Sequence, residues 1–147
     1  MIAQLKEAAS DVGIKIVFSN SREEIDVQIN KMMRIEDVPQ MLVSWDVDTT
    51  LNFDSNGFLE NPLSKMVILL MSKAEDSGDE SKLEKAQEMG ELFQKFCQKL
   101  YSVLIRTNKG NSSPITESGY QLAPLYGRGH HSGIIGRLTI KVPIANC

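Results

Sequence analysis

Residues 79–105, DESKLEKAQEMGELFQKFCQKLYSVLI, decide the fold. Leu83, Ala86, Met89, Phe93, Phe96, Cys97, Leu100, Val103 and Leu104 follow one another mostly at steps of three or four residues. That spacing places them on one stripe of an α-helix. Glu80, Lys82, Glu84, Lys85, Glu88, Glu91, Lys95 and Lys99 fall on the opposite face. Ser81 followed by Glu84 reads as a capping box, and Asp76, Asp79 and Glu80 put negative charge at the helix N-terminus. About 25 residues rising about 1.5 Å each span roughly 37 Å, the width of a small domain. An apolar face of that length needs a sheet or several helices to lie on.

Working outward, residues 64–71 are apolar on both parities, which predicts a central strand covered on both sides. Before it, residues 41–53 alternate almost strictly. Met41, Val43, Trp45, Val47, Thr49, Leu51 and Phe53 share one parity; Leu42, Ser44, Asp46, Asp48, Thr50, Asn52 and Asp54 share the other. A long strand with one buried and one wet face is expected. Asn56-Gly57 marks a turn between these two strands, which should pair antiparallel.

The N-terminal part adds a helix over residues 2–12 with Gly13 as its C-cap, and a strand over residues 14–18. Ser21 with Glu24 opens a second helix through Ile25, Ile29 and Met32, closed before Pro39. After the long helix, residues 107–118 read as a loop, Tyr120 to Leu125 as a short strand broken by Pro124, and residues 127–133 (GRGHHSG) as a cationic glycine-rich turn. The last strand runs from Ile134 to Ile144, with Gly136 marking a bulge. The expected fold class is therefore α+β: a mostly antiparallel sheet packed on one long amphipathic helix, with an additional N-terminal helix-strand-helix. The 147 residues are expected to form a single domain.

Composition narrows the function classes. A net charge of −3 argues against bulk electrostatic binding of bare nucleic acid. Two cysteines, Cys97 on the apolar helix face and Cys147 at the last position, form neither a disulfide framework nor a metal set. Apolar runs are too short to cross a bilayer, so a soluble, cytoplasm-assembled protein with no membrane partner is expected.

One stretch invites an enzymatic reading. Asp46-Val47-Asp48-Thr49-Thr50 after apolar residues 41–43 resembles the first motif of haloacid-dehalogenase-type phosphatases. That resemblance would make Asp46 a nucleophile and Asp48 an acid/base, with Mg²⁺ between them. Against it, no aspartate follows Asp79 to complete a metal set, and the alternation runs on through Asp46 and Asp48 to Phe53. Outward-facing polar residues of an antiparallel strand account for the same pattern. His130 and His131 lack an acidic or cysteine neighbour within ten residues, so surface or interface histidines are expected rather than ligands. Arg128, His130, His131, Arg137 and Lys141 make a basic end to an acidic chain. Phe58, Leu59, Tyr126, Ile134 and Ile135 lie in loops or at strand starts, where apolar residues often mark subunit contacts.

The order of elements resembles a known family. A helix precedes a long strand introduced by Asp37-Val38-Pro39. A second strand (Lys65 to Met71), an acidic turn, the long helix (Leu83 to Ile105) and a closing strand (Ile134 to Val142) follow. This layout is similar to the tail-terminator (tail-completion) and neck-ring proteins of tailed bacteriophages. The resemblance implies a non-enzymatic virion protein of the tail or neck without cofactors, assembled as a ring, hexameric for preference. The ring would sit between connector and tail tube, touching neighbouring neck, connector and tube proteins, with DNA passing through its lumen. It implies Ser44, Asp46, Asp48 and Thr50 as a lumen or ring surface, acidic enough to let DNA slide. It also implies that the 54–63 and 107–118 loops reach neighbouring rings; Phe58, Leu59, Tyr126, Arg128, His130 and His131, singled out above, are the candidate contacts. A protein-binding adaptor using an exposed strand edge is the other non-enzymatic reading.

Overall fold

The computed structural model describes residues 1–19, 38–107, 113–124 and 130–142, with the backbone alone at 19 and 45–48. The helix expected from Ser21 through Met32 lies outside the described residues.

Helix α1 (Ile2–Asp11) buries Leu5, Ala8 and Ala9. It ends in a Schellman motif. Gly13 takes φ +77° and its N–H reaches Ser10 O at 3.1 Å, while Ile14 N–H reaches Ala9 O at 2.8 Å. A left-handed residue is required there, and glycine carries no Cβ to oppose it. The chain then enters β1 (Lys15–Ser19). The remaining strands are β2 (Gln40–Thr50), β3 (Leu63–Lys73), β4 (Ile115–Ala123) and β5 (His131–Lys141). They form one five-stranded sheet in the order β1-β2-β3-β5-β4. β1 and β2 are parallel, and every other pair is antiparallel. The α+β expectation therefore holds.

Helix α2 (Asp79–Thr107) lies across one face of this sheet. Its Met89, Phe93, Phe96, Leu100 and Leu104 share a core with Met41 and Val43 of β2, Met66, Ile68 and Leu70 of β3, and Ile134, Leu138 and Ile140 of β5. Each such side chain contributes roughly 1.5–3 kcal/mol by leaving water. α1 runs antiparallel to α2, as the ion pairs Glu7–Arg106 and Asp11–Lys99 establish. The other sheet face carries a smaller cluster of Leu42, Leu69 and Met71, with Val17 and Ile135 half-buried beside them. β3 thus buries both parities in its second half, as its composition predicts.

Several local expectations are corrected. α2 begins at Asp79, so Ser81 lies inside its first turn. Ser81 Oγ instead accepts a hydrogen bond from Asp76 N–H, and Asp76 Oδ1 accepts one from Gly78 N–H at 2.7 Å. Leu83 is exposed and Lys82 buried, the reverse of the helical-stripe reading. Docking of the first turn explains it: buried Ser132 of β5 donates its hydroxyl to Lys82 O at 2.5 Å. Residues 115–118 are strand, not loop, because β5 supplies a ladder for them. Gly136 marks no bulge, since the β3–β5 register is continuous from Leu63↔Lys141 to Lys73↔His131. A Cβ at Gly136 would lie 2.8 Å from Phe93 Cζ, so glycine makes room for that ring.

Candidate assembly surface

β2 and β3 are joined by an arm that continues beyond the sheet. Phe53 and Leu59 form an isolated antiparallel bridge, and Glu60 N–H reaches Asn52 O at 2.8 Å. The tip is tied down by Asp54, whose Oδ1 accepts from both Asn56 N–H and Phe58 N–H at 2.9 Å. Gly57 takes φ +82° to close the turn. This is an Asx-type turn, in which the carboxylate stands in for backbone acceptors. The arm is a built element that nevertheless carries Leu51, Phe53 and Phe58 at 57%, 64% and 70% exposure. Alternation predicted Leu51 and Phe53 to be buried. The sheet's end defeats it: the β2–β3 slip between Ser44↔Val67 and Asp48↔Lys65 offsets the strands by two residues and keeps parity, but residues past Thr50 have left the sheet. Of the sequence-derived contact candidates here, Phe58 is exposed and Leu59 half-buried.

The proposed lumen face is more mixed than its sequence suggests. Ser44 and Thr50 are half-buried, while the side chains of Asp46 and Asp48 are not described. Across the ladder, Asp48 stands opposite Lys65 and Ser44 opposite Val67, which in turn pairs with Arg137. Exposed Lys65 and Arg137 therefore share this face with the carboxylate-bearing positions. Both aspartates sit within β2, which runs on to Thr50. Among the described residues no group of three or more His, Cys, Asp or Glu is placed to hold a metal ion.

Tyr126 and Arg128 lie outside the described residues. His130 is exposed, and its carbonyl accepts from Ala74 N–H at 2.6 Å. His131 opens β5 and is buried, contrary to a surface reading, because residues 131–133 extend the ladder beside Lys73 and Met71. Ile134 is fully buried and marks no contact at the surface, whereas Ile135 is half-buried on the opposite face.

Sequence reasoning found only the second half of the edge strand, from Tyr120, and read its first half as loop. β4 pairs with β5 on one side, and seven of its nine residues are exposed. Pro114 and Pro124 bracket it, with no proline between. A concavity lies on each of its faces. One of about 380 Å³ is lined by Glu117, Gly119, Gln121, Ile135 and Arg137, among others. The other, of about 510 Å³, is roofed by Cys97, Gln98, Tyr101 and Ser102 of α2 and walled by Ile115 and Ser118. Burial pushes the Cys97 thiol up to about 12, so it stays protonated at neutral pH. Among the described residues nothing pairs with its outer side, and so long an open edge is what proteins ordinarily blunt with charge or cover. Tyr120 and Leu122 signalled its second half in the sequence, while the prolines read there as loop punctuation.

No described helix is long and apolar enough to cross a membrane. No protein-family model matches the chain, and no curated protein matches it.

Proposed function

We propose that this chain is a non-enzymatic, ring-forming structural subunit of the kind that ends a phage tail or joins it to the head. One observation carries the reading. A single sheet presents both a projecting arm with exposed Leu51, Phe53 and Phe58 and an uncovered nine-residue edge, β4. Paired apolar and main-chain surfaces of this sort are what repeated subunits use to meet. A hexamer is the preferred ring. Its neighbours would be connector, neck or tube proteins, and its place the tail or neck of a virion assembled in the host cytoplasm. DNA would pass through transiently. Ser44 and Thr50, with the backbone positions of Asp46 and Asp48, would then face the lumen beside Lys65 and Arg137.

Negative-stain electron microscopy of the concentrated protein tests this reading. Closed rings or stacked tubes are the expected result. Small single particles alone, both free and with tail or neck partners, would overturn it.

The open β4 edge also favours a second reading, an adaptor that captures an extended segment of another protein. A phosphatase acting through Asp46 and Asp48 predicts Mg²⁺-dependent hydrolysis of phosphate esters that Asp46→Asn abolishes. The structural reading predicts no turnover in either protein.

A further inference from the structure

We propose that the β4 edge and the flank of α2 above it receive the 51–62 arm of a second copy, which enters as a sixth strand. This inference rests on the assembly reading above and names the contact that would build it.

Among the described residues no strand pairs with the outer side of β4. Helix α2 overhangs β4, where Cys97, Tyr101 and Ile105 recur every four residues along one flank. Tyr101 and Ile105 are 39% and 42% exposed, and the groove between that flank and Ile115 is about 510 Å³. Tyr120 and Leu122 of β4 are exposed to 40% and 37% beside it. A strand laid along β4 would satisfy its outward backbone groups and place alternate side chains beneath α2.

The arm supplies such a strand. Leu51 and Phe53 alternate in extended chain, and Phe58 stands across the turn. The arm cannot serve its own molecule, because it grows from the β2–β3 end and β5 separates β3 from β4. Leu63, where the arm rejoins the sheet, pairs with Lys141, and Ile115 at the start of β4 pairs with the adjacent Ile140, so the arm projects past the end of the sheet at which β4 begins. A neighbouring copy displaced along the strand direction brings its β4 edge beside that arm.

The area fits a repeated contact rather than a lone dimer. The exposed parts of Leu51, Phe53 and Phe58 with those of Tyr101, Ile105, Tyr120 and Leu122 present roughly 700 Å² of largely apolar surface. With the main-chain contacts, total burial would approach about 1,000 Å², the low end for a specific interface. The contact joins unlike surfaces, arm to edge; repeated head-to-tail, it leaves each copy giving one arm and receiving one, and closure of a ring multiplies its strength.

The test uses two double variants, each checked for native circular dichroism. Phe53→Ser with Phe58→Ser removes the arm's apolar groups. Ile105→Glu with Leu122→Lys spoils the receiving side. Sedimentation should show the wild type self-associating and each variant alone at least about tenfold weaker. An equimolar mixture should form a heterodimer and nothing larger, because one sound arm meets one sound edge. Assembly that survives either variant overturns the proposal, as does a mixture that stays monomeric. A wild type that remains monomeric also overturns it and leaves the edge to an extended segment of another protein. Rings that survive both variants would keep the ring reading and discard this contact. Open chains or dimers lost in both variants would keep the contact and discard the ring.

Discussion

The ring of Tyr120 rests on Gly90, so closely that a methyl group on that glycine would lie 2.6 Å from Tyr120 Cε2. Phe93 meets the same tyrosine edge-on at 6.0 Å, and Gln94 Nε2 donates to its hydroxyl at 2.9 Å. Gly90 and Tyr120 together set how near α2 lies to the otherwise exposed edge strand. Two effects oppose each other in Gly90→Ala. Helix propensity favours alanine by about 0.8–1.0 kcal/mol. Displacing a packed ring costs about 1–3 kcal/mol. The variant should therefore lose about 1 kcal/mol by urea denaturation. In a Tyr120→Ala background the same change should gain about 1 kcal/mol. Equal effects in both backgrounds would show the two residues uncoupled.

Gly133 is held more severely. A Cβ there would sit 1.9 Å from the backbone oxygen of Leu70, and backbone in the middle of a sheet cannot step aside. Gly133→Ala should cost at least about 2 kcal/mol or prevent folding. Gly119, also in the sheet, has nothing within 4 Å of such a Cβ. Gly119→Ala should stay within about 0.5 kcal/mol of the wild type by the same denaturation.

Cys97 gives the stability a pH dependence. The folded thiol is pushed up to about 12 by burial, whereas an unfolded one ionises near 8.5. Between those values the unfolded chain has released a proton that the folded chain keeps, so stability falls as pH rises. The contribution is fully present below about pH 8.5. Its slope is at most about 1.4 kcal/mol per pH unit. Comparing wild type with Cys97→Ala in chemical denaturation at pH 8 and pH 10 isolates it. The gap between the two should narrow at the higher pH.

The arm should be dispensable for folding. Phe58→Ser removes a side chain that is 70% exposed, so its unfolding free energy should match the wild type within about 0.5 kcal/mol. Thermal melts of the dilute protein check this. Large destabilisation would mean that the arm folds back onto the body.

What the sequence discloses depends on how strongly one element repeats its pattern. The long helix was legible to within two residues at its C-terminal end because its stripe recurs over seven turns or so. β3 was legible because both of its parities are apolar. β4 was half hidden. An edge strand exposed on both faces has no reason to alternate, and Thr116, Glu117 and Ser118 read as loop on their own. Leu51 and Phe53 misled in the opposite direction, since alternation cannot say that the sheet has ended. Lys82 and Gly136 depend on what docks against them, Ser132 in one case and Phe93 in the other, and neither partner is near in sequence.

β5 follows β4 along the chain yet lies between β3 and β4 in the sheet. During synthesis β4 emerges first and has no neighbour to pair with. Residues 131–141 must leave the ribosome before β4 can join the sheet at all. Until then β3, apolar on both parities, is itself an open edge beside α2. The arrival of β5 closes that edge and recruits β4 in one event, so a chain halted before residue 131 keeps its most apolar strand unpaired.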